Sequence, residues 1–442
     1  MKKIAKLVLC VCCMGAFVCA KPQTNSTQKN TQDSAQRNVN VGAQEDSAIA
    51  TQPVHTMSVA EFLERIEKNS VTLAKSQAYA KSLIYEGKAA RAWNSPYADI
   101  SSMQVQSPSG GKELETEAYF MLAPRLPWVS SILRQMYETR HIRAQKNYEL
   151  TKRLSVIALK RLYLDYLAQK EQFEVYEDRL ANAKEQLDIA QIRFDAGRIS
   201  RSQYLFFRSD FLSVQVMYEN SKKNLLNALN TLKVGLGIID SSVDIQVDGL
   251  VFSYIGLKST DIESKLQNSL YLEIVALDIA DYSNSAKLAS RSRFDSLEVG
   301  AGASIAESST GAAFKVKIPL PLTTKYGNQK AMYLALQSGS VRESEILKNT
   351  LQNNAHSYLT QLEVKKNAIS VAKADEENKK NLTEISRIGY EAGKTSVFEY
   401  LLVKNNYLDS MIATIEAKRD YINTVAMLEE SLAQVLALEK QE

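Results

Sequence analysis

The positions of proline and glycine limit the possible folds of this chain more than any other feature. Proline is absent from residues 128–318 and after residue 321. Between residues 128 and 234 the only glycine is Gly197, and after residue 340 only Gly389 and Gly393 occur. Both stretches are rich in strong helix formers. A helix over 128–194 would extend for roughly 100 Å at 1.5 Å per residue, a length typical of coiled coils and helical tubes.

Apolar residues recur at alternating steps of three and four on both sides of Gly197. The stripe before it consists of Phe173, Tyr176, Leu180, Ala183, Leu187, Ala190 and Phe194. The stripe after it consists of Phe211, Val214, Tyr218, Ser221, Leu225, Ala228 and Leu232. Two heptad-patterned helices joined by a short glycine turn predict an antiparallel helical hairpin. The stripes are interpreted as packing surfaces and not as a cofactor site.

The chain contains an internal repeat. Residues 194–200 read FDAGRIS and residues 390–396 read YEAGKTS, 196 positions later (390 − 194). Two dipeptides repeat in the same way: Tyr-Leu at 204–205 and 400–401, and, at an offset of 194, Leu-Pro at 126–127 and 320–321. Matches at nearly one offset indicate two copies of a single structural unit. The predicted division is a first repeat at 58–235, an inter-repeat equatorial linker at 236–258 and a second repeat at 259–439.

Each repeat also contains one predicted pair of strands. They lie at about 97–107 and 112–123 in the first repeat, and at about 294–306 and 312–320 in the second. Apolar residues alternate there with charged or small ones; Glu113, Glu115 and Glu117, for example, occupy every second position. The alternation fits half-buried strands, and equally a membrane barrel with lipid-facing apolar and lumen-facing polar residues. Four strands are too few to close a barrel, whereas three chains would supply twelve.

The N-terminus is predicted to be a secretory signal peptide over residues 1–20. Three early lysines precede an apolar run over 7–18, and the run leads into a small-residue cleavage site, Val18-Cys19-Ala20. One alternative is a short membrane anchor, for which the apolar run is too short to span a bilayer comfortably. Another is a lipoprotein with lipid at Cys19, although Val18 is larger than expected before a lipidated cysteine. All four cysteines lie in this segment, so the chain beyond residue 20 would have no disulfide and no thiolate metal site.

A flexible polar leader is predicted over residues 21–57, which are rich in Gln, Asn, Ser and Thr. Ordered structure is expected from Ser58, which has the capping-box spacing to Glu61.

The composition also excludes several classes of function. The chain has 54 basic and 50 acidic residues, a net charge of +4, which gives no basis for nucleic-acid binding. The three histidines, His55, His141 and His356, share no motif, and the sequence has no phosphate-binding loop and no nucleophile elbow. We therefore expect a protein that is not an enzyme, with no catalytic residue, no cofactor and no metal.

These features together resemble the TolC family of outer membrane factors, also called outer membrane efflux proteins. The resemblance extends over about 58–439 and depends on the duplicated Ala-Gly-x-x-Ser turns and Leu-Pro dipeptides. It implies a mixed fold of two repeats, each with a helix, a β-hairpin and a long α-helical coiled-coil hairpin. It further implies a homotrimer with a 12-stranded membrane β-barrel in outer-membrane lipid and a periplasmic α-helical tunnel.

The resemblance also implies a function and partners. Such a channel passively conducts substrates from an inner-membrane pump, of RND or ABC type, and a periplasmic membrane-fusion (adaptor) protein to the outside. The expected location is the cell outer membrane, with a periplasmic helical extension.

The turns of the two hairpins are the sites that the resemblance assigns. They would be periplasmic tips that contact the adaptor, comprising Ala196, Gly197, Arg198, Ile199 and Ser200 in the first hairpin and Ala392, Gly393, Lys394, Thr395 and Ser396 in the second. Tyr390 and Glu399 match positions that close and line the periplasmic aperture. The next acidic position of the family is Leu402 here.

Two other classes of protein share part of the pattern. A secreted structural or adhesive coiled coil would explain the signal peptide and the heptads, but not the alternating strands. A periplasmic adaptor has one helical hairpin flanked by β-rich domains, not two full repeats.

Overall fold

The computed structural model describes residues 54–106, 110–240, 243–257, 259–295, 297–306 and 309–436. The predicted signal peptide and most of the predicted leader lie outside these ranges. The elements up to residue 236 are β1 (Val54–Ser58), α1 (Val59–Asn69), α2 (Val71–Arg91), β2 (Asn94–Gln106), β3 (Lys112–Ala123), α3 (Pro127–Asp195) and α4 (Arg201–Leu236). Those that follow are β4 (Asp244–Asp248), α5 (Ser259–Gln267), α6 (Leu270–Arg291), β5 (Glu298–Ile305), β6 (Thr310–Lys317), α7 (Lys325–Glu391) and α8 (Val397–Leu432).

Two very long helices dominate the structure. Helix α3 has 69 residues and α7 has 67, each roughly 100 Å long. Helix α3 begins at Pro127. Proline is favourable at this position because the backbone N–H of a first-turn residue has no acceptor within the helix, and proline has no N–H. Each long helix folds back on the next one, α3 on α4 and α7 on α8, and α3 also packs against α8. Among these four helices, the contacts therefore run in the order α4–α3–α8–α7.

The strands of both repeats join in one antiparallel sheet with the order β2–β3–β5–β6. The central β3–β5 pairing is the seam between the repeats. The second hairpin is shorter than the sequence predicts at both of its outer ends. Residues 292–294 form a 3₁₀ turn before β5, and β6 ends at Lys317, two residues before Pro319, since proline cannot donate to a strand ladder.

The predicted boundary of the flexible leader at residue 57 is wrong. Val54–Ser58 forms β1, which pairs in parallel with β4 from the inter-repeat segment, for example His55 with Ile245. The partner strand is distant in sequence, so local composition does not reveal it. Ser58 caps α1 as expected, since its Oγ accepts from the backbone N–H of Glu61 at 3.2 Å, while the Glu61 carboxylate accepts from Arg65.

Two apolar cores lie where the shorter elements pack on the long helices. The first surrounds Phe62, Tyr163 and Leu232, and the second surrounds Ile262 and Tyr421. Each core belongs mainly to one repeat. In the described ranges, no helix has both the length and the apolar character that crossing a membrane requires.

A buried ion pair joins the two repeats near the end of α8. The Lys160 ammonium of α3 lies 2.5 Å from the Glu429 carboxylate, and their side chains are 5% and 0% exposed. Lys160 also donates to the carbonyl of Leu436 at 2.6 Å, and the backbone N–H of Leu436 donates to Glu429. Burial raises the pKa of Glu429, against the opposing effect of the Lys160 cation. The pair thus fixes residues 433–436 against α3.

Candidate functional site

One face of the four-stranded sheet is apolar on every strand. Phe120 of β3 lies opposite Ala98 of β2 and Ala301 of β5, and Ala301 in turn lies opposite Phe314 of β6. Further apolar positions on this face are Ile100, Ala118, Leu122, Val299, Ala303, Ala312 and Val316. Phe314 is 83% exposed and Phe120 is 59% exposed. An apolar surface of this extent indicates a contact with lipid or with another protein.

The opposite face of the same sheet is polar and ion-paired. Lys315 of β6 lies 2.6 Å from Asp99 of β2, and Lys317 lies 3.1 Å from Glu298 of β5. Glu298 also accepts from the Tyr97 hydroxyl at 2.6 Å. The outer end of this face carries a further hydrogen bond, from Ser304 to Glu115 at 2.6 Å. The sheet therefore has one apolar face and one polar, ion-paired face.

The two hairpin tips have the same backbone geometry. Gly197 and Gly393 both have a φ of 69°, in the left-handed region that glycine enters without a steric cost. The N–H of Arg198 donates to the carbonyl of Arg193, and the N–H of Lys394 donates to that of Gly389, both at 2.8 Å. These bonds across five positions close the long helices in the way of a Schellman motif.

The residues after each glycine start the returning helix. The Ser200 hydroxyl accepts from the backbone of Gln203, whose side chain accepts from the backbone of Ser200, so that a full capping box forms. In the second tip, Ser396 accepts from the backbone N–H of Glu399 at 3.2 Å. Glu399 is exposed in the first turn of α8, where an acidic residue also interacts favourably with the helix dipole.

The predicted tip residues are accessible. Ile199 and Thr395 are half-buried, while the other eight are exposed: Ala196, Gly197, Arg198, Ser200, Ala392, Gly393, Lys394 and Ser396. Leu402, in the position where the family has a second acid, is 59% exposed.

An aromatic pair closes each hairpin just inside its glycine. Phe194 stacks on Tyr204 with ring centroids 5.3 Å apart, and Tyr390 stacks on Tyr400 with centroids 5.7 Å apart. The pairs occupy equivalent positions of the two repeats. Tyr390 thus packs within its own hairpin, and the signal that could have revealed this partner is the recurrence of an aromatic residue at 194 and 390 together with tyrosine at 204 and 400.

A third aromatic contact connects the two hairpins, and it was missed in the sequence. Phe398 of α8 stacks on Phe207 of α4 with centroids 4.6 Å apart, and the Arg193 guanidinium of α3 lies 4.6 Å from the centre of the Phe398 ring. The signal that could have revealed it is a departure from the repeat, because the position equivalent to Phe398 is Ser202.

Polar contacts join α3 to α8 over much of their length. Arg419 binds Asp165 at 2.8 Å, and Lys418 binds Glu171 at 2.9 Å. Nearer the tips, Arg179 pairs with Asp409 and Asn182 donates to Asn405. These contacts fix the register of the two hairpins. Among the described residues, no group of three His, Cys, Asp or Glu side chains is placed to hold a metal ion.

Comparisons with known proteins show what this arrangement is similar to. Residues 130–237 match the family model described as outer membrane efflux protein. No protein of curated function matches the sequence significantly.

Several solved structures share the fold over most of its length. The CmeC outer membrane channel of Campylobacter jejuni has a TM-score of 0.69 and 16% identity over 87% of either chain. The outer membrane protein VceC of Vibrio cholerae has a TM-score of 0.65 and 12% identity over 85% of this chain and 96% of its own. The open state of the MtrE outer membrane channel of Neisseria gonorrhoeae has a TM-score of 0.60 and 13% identity over 90% and 96%. At such identities the likeness establishes a shared fold.

Proposed function

We propose that this chain, which has the fold of the outer membrane efflux proteins and matches their family model over 130–237, is the outer-membrane channel of a tripartite efflux or export system. It conducts substrates passively from an inner-membrane pump and a periplasmic adaptor to the outside, and is not an enzyme. The pump, of RND or ABC type, supplies the energy. The observation that carries the proposal is the two-faced sheet.

The sheet supports a trimeric barrel. Its outer strands, β2 and β6, have no further strand beside them within the described residues, and open edges of this kind invite pairing with another chain. If β6 of one chain pairs with β2 of the next, three chains close a ring of twelve strands. The apolar face with Phe120 and Phe314 then contacts lipid, and the face with Asp99 and Lys315 lines the lumen.

The helices support the same ring. Helices α4 and α7 are the two outer members of the α4–α3–α8–α7 order of contacts, and both expose apolar side chains. Phe206 of α4 is 69% exposed, and Ile385 and Leu382 of α7 are 67% and 55% exposed. Packing α4 of one chain on α7 of the next would bury both surfaces, and a head-to-tail contact of this type gives a ring when the rotation between neighbouring chains closes. The result is a periplasmic helical tunnel below the barrel.

The tips are proposed as the sites of adaptor contact and of the aperture. The exposed tip residues lie at the far ends of α3 and α7 from the sheet, where a periplasmic partner can reach them. Tyr390 and Glu399 lie in the second tip and would surround the aperture in the trimer.

The barrel is tested by placing a charge on either face of β6. Phe314→Arg should abolish the heat-modifiable trimer band in outer-membrane fractions, because an arginine facing lipid costs about 2–4 kcal/mol near the midplane. Ala313→Arg, on the adjacent lumen-facing position, is the matched control and should retain the band. The wild-type trimer should give small, mostly closed conductances in planar bilayers. A monodisperse monomer that is soluble without detergent would contradict the proposal.

A further inference from the structure

Arg193, Phe207 and Phe398 form a small cluster that links the tips of the two hairpins. The centre of the Phe398 ring of α8 lies 4.6 Å from the centre of the Phe207 ring of α4 and 4.6 Å from the Arg193 guanidinium of α3. The two rings are inclined by 19°, so they are stacked. Stacked rings at 4.5–7 Å and a cation within 6 Å of a ring centre are both attractive arrangements. All three side chains are half-buried.

This cluster lies where the two repeats differ. At the offset of 196 that aligns the tips, Arg193 corresponds to Gly389, Phe207 to Val403 and Ser202 to Phe398. Each member of the cluster therefore has no counterpart of its own chemistry in the other repeat. The stacked pairs of Phe194 with Tyr204 and of Tyr390 with Tyr400 do recur in both. The recurring pairs lie within one hairpin each, whereas the contacts of the cluster run between the two hairpins.

We propose that Arg193, Phe207 and Phe398 form a clasp that holds the second hairpin against the first and keeps the periplasmic aperture narrow. The inference rests on the proposed channel function and identifies which contact positions the aperture. Tyr390, which the family resemblance connects with closure, stacks inside its own hairpin at Tyr400. In this chain Phe398, and not Tyr390, makes the contact between the hairpins that restrains the second tip.

The position of the clasp explains how it acts on the aperture. Phe398 and Glu399 are consecutive in the first turn of α8, so anchoring the ring of Phe398 fixes the direction of the Glu399 side chain. Toward the membrane, the hairpins are already tied by Arg179 with Asp409 and by Asn182 with Asn405. Release of the clasp would free the last turns of the second hairpin beyond these ties. Phe398 is thus a positioning residue for the aperture.

The first test measures single-channel open occupancy of purified trimers in planar bilayers. Phe398→Ala should raise it roughly tenfold, equivalent to about 1.4 kcal/mol, and Arg193→Gln should raise it less, because the stack with Phe207 remains. Phe398→Leu keeps apolar bulk without a π-face, and should also raise it. Tyr204→Leu breaks the stacked pair of the first tip and is the matched control, which should leave occupancy unchanged.

The second test closes the clasp covalently. Every cysteine of the sequence lies at or before residue 19, so Phe207→Cys with Phe398→Cys introduces the only thiols beyond that point. The oxidised double variant should form an internal cross-link and keep a conductance at or below wild type. Reduction with dithiothreitol should then raise the open occupancy to the level of Phe398→Ala.

The outcomes separate the clasp from the channel itself. Wild-type occupancy in Phe398→Ala, or equal conductance of the oxidised and reduced double variant, would overturn the clasp and leave the channel function intact. A chain that forms no channel in wild type or in any variant would overturn the proposed function, and the clasp as an aperture device with it.

Discussion

At the scale of single residues, the backbone conformation of the two tip turns explains why glycine occupies positions 197 and 393. A Cβ built at Gly197 or Gly393 meets no described atom within 4 Å, so space does not demand glycine there. The requirement is the φ of 69°, which disfavours other residues by roughly 1–2 kcal/mol. We predict that G197V with G393V loses export while outer-membrane trimer levels stay near normal, because the tips lie far from the sheet.

Substrate resistance and immunoblots of membrane fractions measure the two quantities. Asparagine tolerates the left-handed region, so G197N with G393N is the matched control and should keep most of the export. Unchanged export in the valine variant would show that the tips do not contact the adaptor.

A second residue-scale prediction concerns the buried pair of Lys160 and Glu429. Lys160→Met removes the cation that opposes the burial effect, so the pKa of Glu429 should rise further. A carboxyl group with a raised pKa in the folded chain holds its proton more tightly there than in the unfolded chain. The protonated group therefore adds stability at a pH below its ordinary pKa, and this stability is lost as the pH rises through the folded-state pKa. The variant should therefore lose stability as the pH increases from about 4.5, with a deficit of roughly 3–5 kcal/mol at neutral pH.

Thermal unfolding followed by helical circular dichroism at pH 5 and pH 8 measures this dependence. Lys152→Met is the matched control, because Lys152 and Glu67 form an exposed pair with side chains 41% and 42% exposed, and should cost under about 1 kcal/mol. Equal losses in both variants at both pH values would contradict the prediction.

At the scale of elements, the sequence predicts those features that depend on neighbouring residues, such as the ends of a helix. Helix α3 was expected over 128–194 and spans Pro127–Asp195, since proline and glycine mark its ends directly. The resemblance to the outer membrane efflux proteins is confirmed by the match over 130–237. The β1–β4 pairing was missed because its paired residues, such as His55 and Ile245, lie 190 positions apart (245 − 55). The contact of Phe398 was missed for the same reason, since its partners belong to the other hairpin.

The seam between β3 and β5 gives an element-scale prediction. A Cβ at Gly302 would lie 1.9 Å from the backbone oxygen of Ala118, so any side chain must push the two strands apart. Gly302→Val should abolish the trimer band, because it separates the halves of the sheet that the two repeats contribute. Gly311→Val on β6 is the matched control, since a Cβ there meets no described atom within 4 Å. A normal trimer in Gly302→Val would show that the seam can widen without cost.

At the scale of the whole molecule, the proposed role of Glu399 depends on the proposed trimer. In one chain it is an exposed residue of a helix first turn. In the proposed trimer, three copies surround the channel axis and their combined field favours cations. We predict that Glu399→Gln lowers cation preference, measured as the reversal potential of single channels in a salt gradient, with little loss of stability.

A matched control for this effect is Glu391→Gln. Glu391 lies in the same tip but is paired with Arg387, so the selectivity should not change. Identical reversal potentials in wild type and Glu399→Gln would place this glutamate on the outer surface of the tunnel.

The seam between the repeats also determines the order in which parts of the chain can fold. Each helical hairpin is built from neighbouring stretches of chain and can form as soon as that stretch is available. The seam joins groups such as Ser304 and Glu115, which are 189 positions apart, so β3 cannot pair with β5 until the second repeat has been synthesised. During that interval its apolar face and one unpaired edge are open to aggregation. In the proposed outer-membrane role, we therefore expect the nascent chain to need a periplasmic chaperone until β5 pairs with β3.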